Sequence, residues 1–281
     1  MGLLQMTNDR KEPRKRFLAL DTATSVLGVA VTEDGAVLSE INATGERNHS
    51  VHLLPIVERA LKESGTDAAA LAGIAVGVGP GSYTGTRIAV TAAKSLAWAW
   101  KLPLAGLSSL QALAWGGWAS GMREDSGAGE DRAAAGDWIV PLLDARRGQV
   151  YTALFAARSE GSPRRLAPDA IRLMDGWADE LAALLSQAAA SGEAPGRIWF
   201  VGETRNHGET AEARLTPLNA ARVRALPYEL EGRWVGLLGE EHFFAEGGDV
   251  HPDAVHALVP NYTQLSEAEA KLRAGEGGAG V

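Results

Sequence analysis

Two short segments carry the residue types that could handle a phosphate. Gly79-Pro80-Gly81-Ser82-Tyr83-Thr84-Gly85-Thr86-Arg87 joins an apolar run to an alanine-rich one, and Asp21-Thr22-Ala23-Thr24-Ser25 closes an earlier apolar run. Glycines at 79, 81 and 85 permit positive φ and close approach of a neighbour. Ser82, Thr84 and Thr86 add hydroxyls, and a helix starting after them would add unpaired N–H groups. The motif is incomplete as a nucleotide loop. Thr86 follows Gly85 where a P-loop needs lysine, and Pro80 replaces the first glycine that a nucleophile elbow around Ser82 would require. A tight, well-capped strand-to-helix turn explains the glycine-rich segment equally, and an Asx or hydroxyl turn explains Asp21, Thr22 and Thr24.

Other reactive side chains are sparser. His49 and His52 stand at i, i+3 in a helical stretch, but no further ligand sits at a recognised spacing and H-E-x-x-H is absent. Asp144, Arg146 and Arg147 read either as catalytic charges or as the polar tip of a hairpin. No Ser/His/Asp triad can be assigned from spacing, because triads are defined by geometry.

The elements that must hold these residues follow from periodicity. Strands are expected over 17–21, 26–32 and 36–41, the last two joined at Asp34-Gly35, a strong hairpin signal. A helix is expected over 51–62 with Pro55 delaying or kinking its start, then a strand over 71–78 and a helix over 85–100. A strand at 103–106 and a helix from 108 or 109 to about 115 follow. Residues 116–137 are polar and glycine-rich and read as a loop insertion. Strands at 138–143 and 149–157, a helix at 176–190, a strand at 197–202, a helix at 231–245 and an end helix near Ser266 complete the pattern. Strand, hairpin strands, helix, strand, helix is a mixed-sheet α/β opening, unlike a dinucleotide-binding βαβ unit.

Composition narrows the class. The 281 residues are 46% apolar and 22% charged, ordinary for a globular chain of one large or two modest domains. A formal charge of −8 argues against broad nucleic-acid binding, and the absence of cysteine excludes disulfides, Cys-zinc sites and thiol catalysis and suits a reducing compartment. No run is long enough to span a membrane. Residues 1–16 hold Arg10, Lys11, Arg14, Lys15 and Arg16 without an apolar stretch, so a disordered basic extension is expected in place of a signal peptide.

Taken together and in order, Phe17-Leu-Ala-Leu-Asp-Thr-Ala-Thr24, His49-Ser-Val-His-Leu-Leu-Pro55, Gly79 to Ile88, Ser108-Ser-Leu110, Leu143-Asp-Ala-Arg-Arg-Gly-Gln-Val-Tyr151 and Val259-Pro-Asn-Tyr262 resemble the TsaB (YeaZ) family. The resemblance runs from about Phe17 to Lys271. It implies an actin-like fold of the acetate-kinase, sugar-kinase and Hsp70 type, with two RNase H-like lobes of mixed sheet. The lobes would cover 17–106, with a C-terminal helix near 266–273 packing back on the first, and 107–265, with the insertion 116–137.

The resemblance also implies a role. The family is a non-catalytic scaffold in making N6-threonylcarbamoyladenosine at position 37 of tRNA, and it pairs with and activates a TsaD-type catalytic subunit. A TsaE-type ATPase joins the assembly, tRNA is reached indirectly, and the subunit alone forms a homodimer. The pairing helices imply an interface of His49, His52, Leu53, Ile56, Val57, Ala60, Arg87, Ile88, Thr91, Ala92, Ser95 and Trp98. Asp21, Thr22, Thr24, Gly79, Gly81 and Ser82 would be a vestigial phosphate loop. The catalytic relatives hold metal with H-x-x-x-H, which the i, i+3 pair here does not match, so no metal is carried over. ATP, Mg²⁺ and metal are expected on the partners, no cofactor on this chain, and a cytoplasmic location. The alternatives are an ATP-dependent kinase or phosphotransferase of the same superfold, using Asp21 and the Gly79 loop, and a metalloprotease resting on the two histidines.

Overall fold

The computed structural model describes residues 15–44, 48–127, 136–218, 221–245 and 254–263. The first sheet contains β1 (Arg16–Asp21), β2 (Leu27–Glu33), β3 (Ala36–Ala43), β4 (Leu71–Gly77) and β5 (Leu104–Leu107), ordered β3-β2-β1-β4-β5. β1 is antiparallel to β2 and parallel to β4. The second contains β6 (Trp138–Asp144), β7 (Gln149–Ala156), β8 (Arg164–Leu173), β9 (Arg197–Gly202) and β10 (Arg222–Pro227), ordered β10-β9-β6-β7-β8. Here β6 is antiparallel to β7 and parallel to β9, so the second sheet repeats the first: three antiparallel strands followed by two parallel ones. The duplication is the RNase H-like pair of lobes of the actin-like superfold.

Alternation along the strands builds the layers. Leu18, Leu20, Val29, Val31, Ile74 and Val76 point to an outer layer of α1 (His49–Glu63) and α2 (Tyr83–Trp100). Ala19, Ala30 and Ala75, one residue out of phase, face the opposite way. That side receives α6 (Gly232–Ala245), whose Gly232, Gly236 and Gly239 would place a Cβ within 2.8 Å of Val29, Thr32 and Ala75 respectively. Small residues on both surfaces therefore allow helix and sheet to meet closely. α3 (Ser109–Gly127) packs beside α6 against Ile139, Leu143, Trp199 and Val201, joining the two sheets in one core. Val140, Leu142, Ile198 and Phe200 point outward to α4 (Met174–Ser191) and α5 (Gly208–Leu215).

Several elements depart from the periodicity. α3 continues to Gly127, so the segment from Gly116 expected to be a loop begins as helix. Its glycines are the reason: Gly116 lies against Trp234 and Tyr228, Gly117 against Val201 and Gly121 against Trp199, where any side chain would collide. β8, α5 and β10 carry few fully buried apolar residues and give little periodic signal; Pro168 within β8 fits its place on the sheet edge. α1 starts at His49 and continues through Pro55. Although α6 falls within 107–265, the sheet it packs on is the first, chiefly β1, β2 and β4. Arg16, placed with the disordered extension, belongs to β1, and its guanidinium donates to Glu33 at 3.3 Å and Thr66 Oγ1 at 2.9 Å. Residues 1–14, most of 128–137 and the end helix near 266–273 lie outside the described residues.

The tight turn between β2 and β3 has Asp34 at φ 51° and Gly35 at φ 78°, as an Asp-Gly hairpin requires. α7 (Ala254–Ala257) and the residues after it return as a strap along α2.

Candidate functional site

The two segments with phosphate-handling residues meet, and they are bonded to each other. Asp21 is buried at the end of β1, where Oδ1 accepts from Ala23 N at 2.7 Å and Oδ2 accepts from Ser109 Oγ at 2.6 Å. Ser109 Oγ also accepts from Gly79 N at 3.1 Å, and Ser109 N donates to Gly79 O at 3.0 Å. Thr22 Oγ1 donates to Gly85 O at 2.6 Å and Ser82 N to Ala23 O at 2.7 Å. Ser82 caps α2, its Oγ accepting from Gly85 N at 3.2 Å. The N–H groups of Gly79, Ser82 and Gly85 thus have protein acceptors where a cradle would offer them to an anion.

The glycines serve this contact in different ways. Gly79 has φ 88° and precedes a cis Pro80. Gly81 and Gly85 do not have positive φ; they are small because a Cβ would lie 2.3 Å from Ala23 O and 1.9 Å from Thr22 O. Gly77 makes room for Asp21, whose Oδ2 a Cβ would approach to 1.7 Å. Burial pushes the Asp21 carboxyl up to about 6, against the smaller opposing effects of its bonds to Ser109 and Ala23. Thr24 closes the turn, accepting from Val26 N at 3.2 Å.

The expected helical face divides into core and surface. Leu53 (1% exposed), Val57 and Ala60 lie in the core of the first sheet and are unavailable to a partner. They recur at i, i+4 and i+7, which is the buried stripe of α1. His49, His52, Ile56, Ile88 and Ala92 are half-buried, and Arg87, Thr91, Ser95 and Trp98 are exposed, Trp98 by 70%. Val51, Leu54 (53% exposed) and Tyr83 are exposed apolar residues that the sequence reasoning omitted. The signal was available: Val51 and Leu54 lie off the phase of Leu53, Val57 and Ala60. On α2 the buried stripe is Ala89, Val90, Ala93 and Ala97, leaving Arg87, Thr91 and Trp98 on the outer side. Among the described residues no group of three His, Cys, Asp or Glu side chains could hold a metal, and His49 and His52 belong to no such group.

Beside these loops a cleft of about 850 Å³ opens between the sheets, lined in part by Thr24, Ser82, Tyr83, Arg146, Arg147 and Tyr151. The Asp144–Gln149 hairpin forms one wall. Its tip is held by Arg146 N donating to Asp144 Oδ1 at 2.8 Å and Asp144 N to Glu203 Oε2 at 2.7 Å, while His207 Nε2 lies 3.4 Å from Asp144 Oδ1. Asp144 therefore braces a turn in which Arg146 and Arg147 both have positive φ.

Duplicated mixed sheets, with the loops after β1 and β4 hydrogen-bonded to one another beside the cleft between them, define a member of the actin-like superfold. Residues 36–162 match the family model described as TsaD, tRNA N6-adenosine threonylcarbamoyltransferase. The tRNA threonylcarbamoyladenosine biosynthesis protein TsaB of Bacillus subtilis (strain 168) is 34% identical over 91% of this chain and 96% of its own length. The protein of that name from Escherichia coli (strain K12) is 36% identical over 52% of this chain and 57% of its own length. A solved Pseudomonas aeruginosa structure, described as similar to peptidase YEAZ, superimposes with a TM-score of 0.67 at 25% identity, covering 89% of this chain and 100% of that one. The chain belongs to the TsaB family.

Proposed function

We propose that this chain is the non-catalytic subunit of the machinery that makes tRNA threonylcarbamoyladenosine, pairing with and activating a TsaD-type catalytic subunit. The reading rests on family membership and is supported by one observation in particular: the N–H groups of Gly79, Ser82 and Gly85 are taken by Ser109 Oγ, Ala23 O and Ser82 Oγ, so the glycine-rich turn does not offer them to a phosphate. A chain so closed serves through its surface. The exposed sides of α1 and α2, with Val51, Leu54, Arg87, Thr91 and Trp98, are the pairing face.

In this reading ATP, Mg²⁺ and metal act on the partner subunits, and this chain has no cofactor of its own. A TsaE-type ATPase joins the assembly, tRNA is engaged through the complex, and the chain alone self-associates by the same helices. The setting is cytoplasmic; among the described residues no helix is long and apolar enough to cross a membrane. Mixing the purified chain with the TsaD-type subunit of the same genome and measuring mass by light scattering tests the reading. A heterodimer at micromolar concentrations is expected, and two unassociated species would overturn it.

A further inference from the structure

The chain passes from the first sheet towards the second through Ser108, which alone separates the end of β5 from the start of α3. It returns through residues 228–231, between the end of β10 and the start of α6. Both crossings are fixed to the first lobe. Ser109 N donates to Gly79 O at 3.0 Å, and its hydroxyl donates to Asp21 Oδ2 at 2.6 Å. Gly232 N donates to Asn42 Oδ1 and Arg233 N to Glu40 Oε1, each at 2.9 Å.

The same two helices also reach the second lobe, and they do so at one edge of it. Ser108 Oγ, which accepts from Gln111 N at 3.1 Å, donates to Asp169 Oδ2 of β8 at 2.7 Å. Asp169 also pairs with Arg165, whose guanidinium stacks over the Phe155 ring at 4.6 Å. Gln111 Nε2 donates to Pro163 O at 3.2 Å. From the last turns of α6, Glu241 accepts from Ser162 N at 2.9 Å and from Ser162 Oγ at 2.6 Å, in the segment leading into β8.

Position gives these contacts their leverage. β8 and β10 are opposite edges of the second sheet, and the return crossing leaves from β10. Rotation of the second lobe about that crossing would displace β8 most, so bonds at β8 resist it best. Both bonds end on carboxylates, which makes them stronger than bonds between neutral groups.

We propose that Ser108–Asp169 and Ser162–Glu241 form an interlobe latch, holding the second lobe at one angle to the first and the cleft between them at one width. The hinge closure by which two-lobed folds enclose a ligand is thereby suppressed, and a molecule entering the cleft meets a preformed opening. The latch belongs to the chain alone and does not depend on the pairing reading.

The chain has no cysteine, so Ser25→Cys and Asn206→Cys, both exposed on the cleft wall, confine two spin labels to those positions. Pulsed double electron–electron resonance on labelled chain diluted with unlabelled chain reads their separation within one molecule. The latched parent is expected to show one narrow separation. Ser108→Ala and Glu241→Ala together should add a second, distinct one, because losing both ties shifts a two-state equilibrium by about a hundredfold or more. Each change alone should populate it less. Ser186→Ala, whose hydroxyl bond stays within α4, should keep the single separation. Melting curves establish that the variants are folded; Ser108 and Glu241 are half-buried, and if the double variant does not fold the single ones carry the test. A folded variant set that keeps the parent's one separation overturns the latch, and so does a parent that already shows two. A shift in Ser186→Ala equal to that of the latch variants overturns it as well.

Discussion

The Ser109 hydroxyl donates to the buried Asp21 carboxylate across 2.6 Å, linking the start of α3 to the end of β1. The same oxygen accepts from Gly79 N, so the buried carboxylate at the end of β1 holds, through Ser109, the turn that leads into α2. A residue type suited to Mg²⁺ and phosphate has become the hub of a structural network.

That network carries a pH signature. The Asp21 carboxyl is raised from 3.8 to about 6 in the folded chain, so the native state binds its proton more tightly than the unfolded state does. Its contribution to stability is fully present below about pH 4 and is lost as pH rises from about 4 to about 6. The size is on the order of 3 kcal/mol. Asp21→Asn keeps an acceptor for Ala23 N and removes the titration. Urea denaturation across pH 4 to 7.5 should show a smaller loss of stability for the variant than for the parent; parallel profiles would falsify the assignment.

Two glycines separate close approach from mere flexibility. Gly85→Ala drives a Cβ into Thr22 O and is expected to destabilise by about 2 kcal/mol or more. Gly176→Ala, in α4 with nothing within 4 Å, should be neutral or stabilising by up to about 1 kcal/mol. Equal effects in chemical denaturation would mean that the loop contact is not under steric constraint.

Adjacent leucines on α1 should behave oppositely. Leu53→Ala opens the first-sheet core and is expected to cost about 2–5 kcal/mol. Leu54→Asp should leave the melting temperature close to that of the parent while weakening association with the TsaD-type subunit. Undiminished association would remove Leu54 from the pairing face.

The closed loops also predict how the chain meets nucleotide. Millimolar ATP with Mg²⁺ should move the melting temperature of the isolated chain by less than about 1 °C, since a ligand that binds only the folded state must raise it. A saturable rise of several degrees would revive the kinase reading, and Asp21→Asn should then abolish it.

The local sequence determined much of this protein. Asp34-Gly35 can only turn tightly, and the apolar runs at Phe17, Leu71, Trp138 and Arg197 become strands in the expected places. The ordered set of motifs pointed to the family. The tertiary structure decided matters that depend on what lies opposite. Leu53 and Leu54 are alike in sequence, and only the packing of α1 on the sheet makes one core and the other surface. The glycines in α3 looked like loop residues until Trp199, Val201 and Trp234 came to lie against them. The glycine-rich segment and Asp21 have the residue types of a phosphate loop, and the tertiary structure instead sets Ser109 between Asp21 and Gly79 and the Ala23 carbonyl against Ser82 N. Propensity acts over a few residues, whereas burial and hydrogen-bond satisfaction are settled by neighbours distant in the chain.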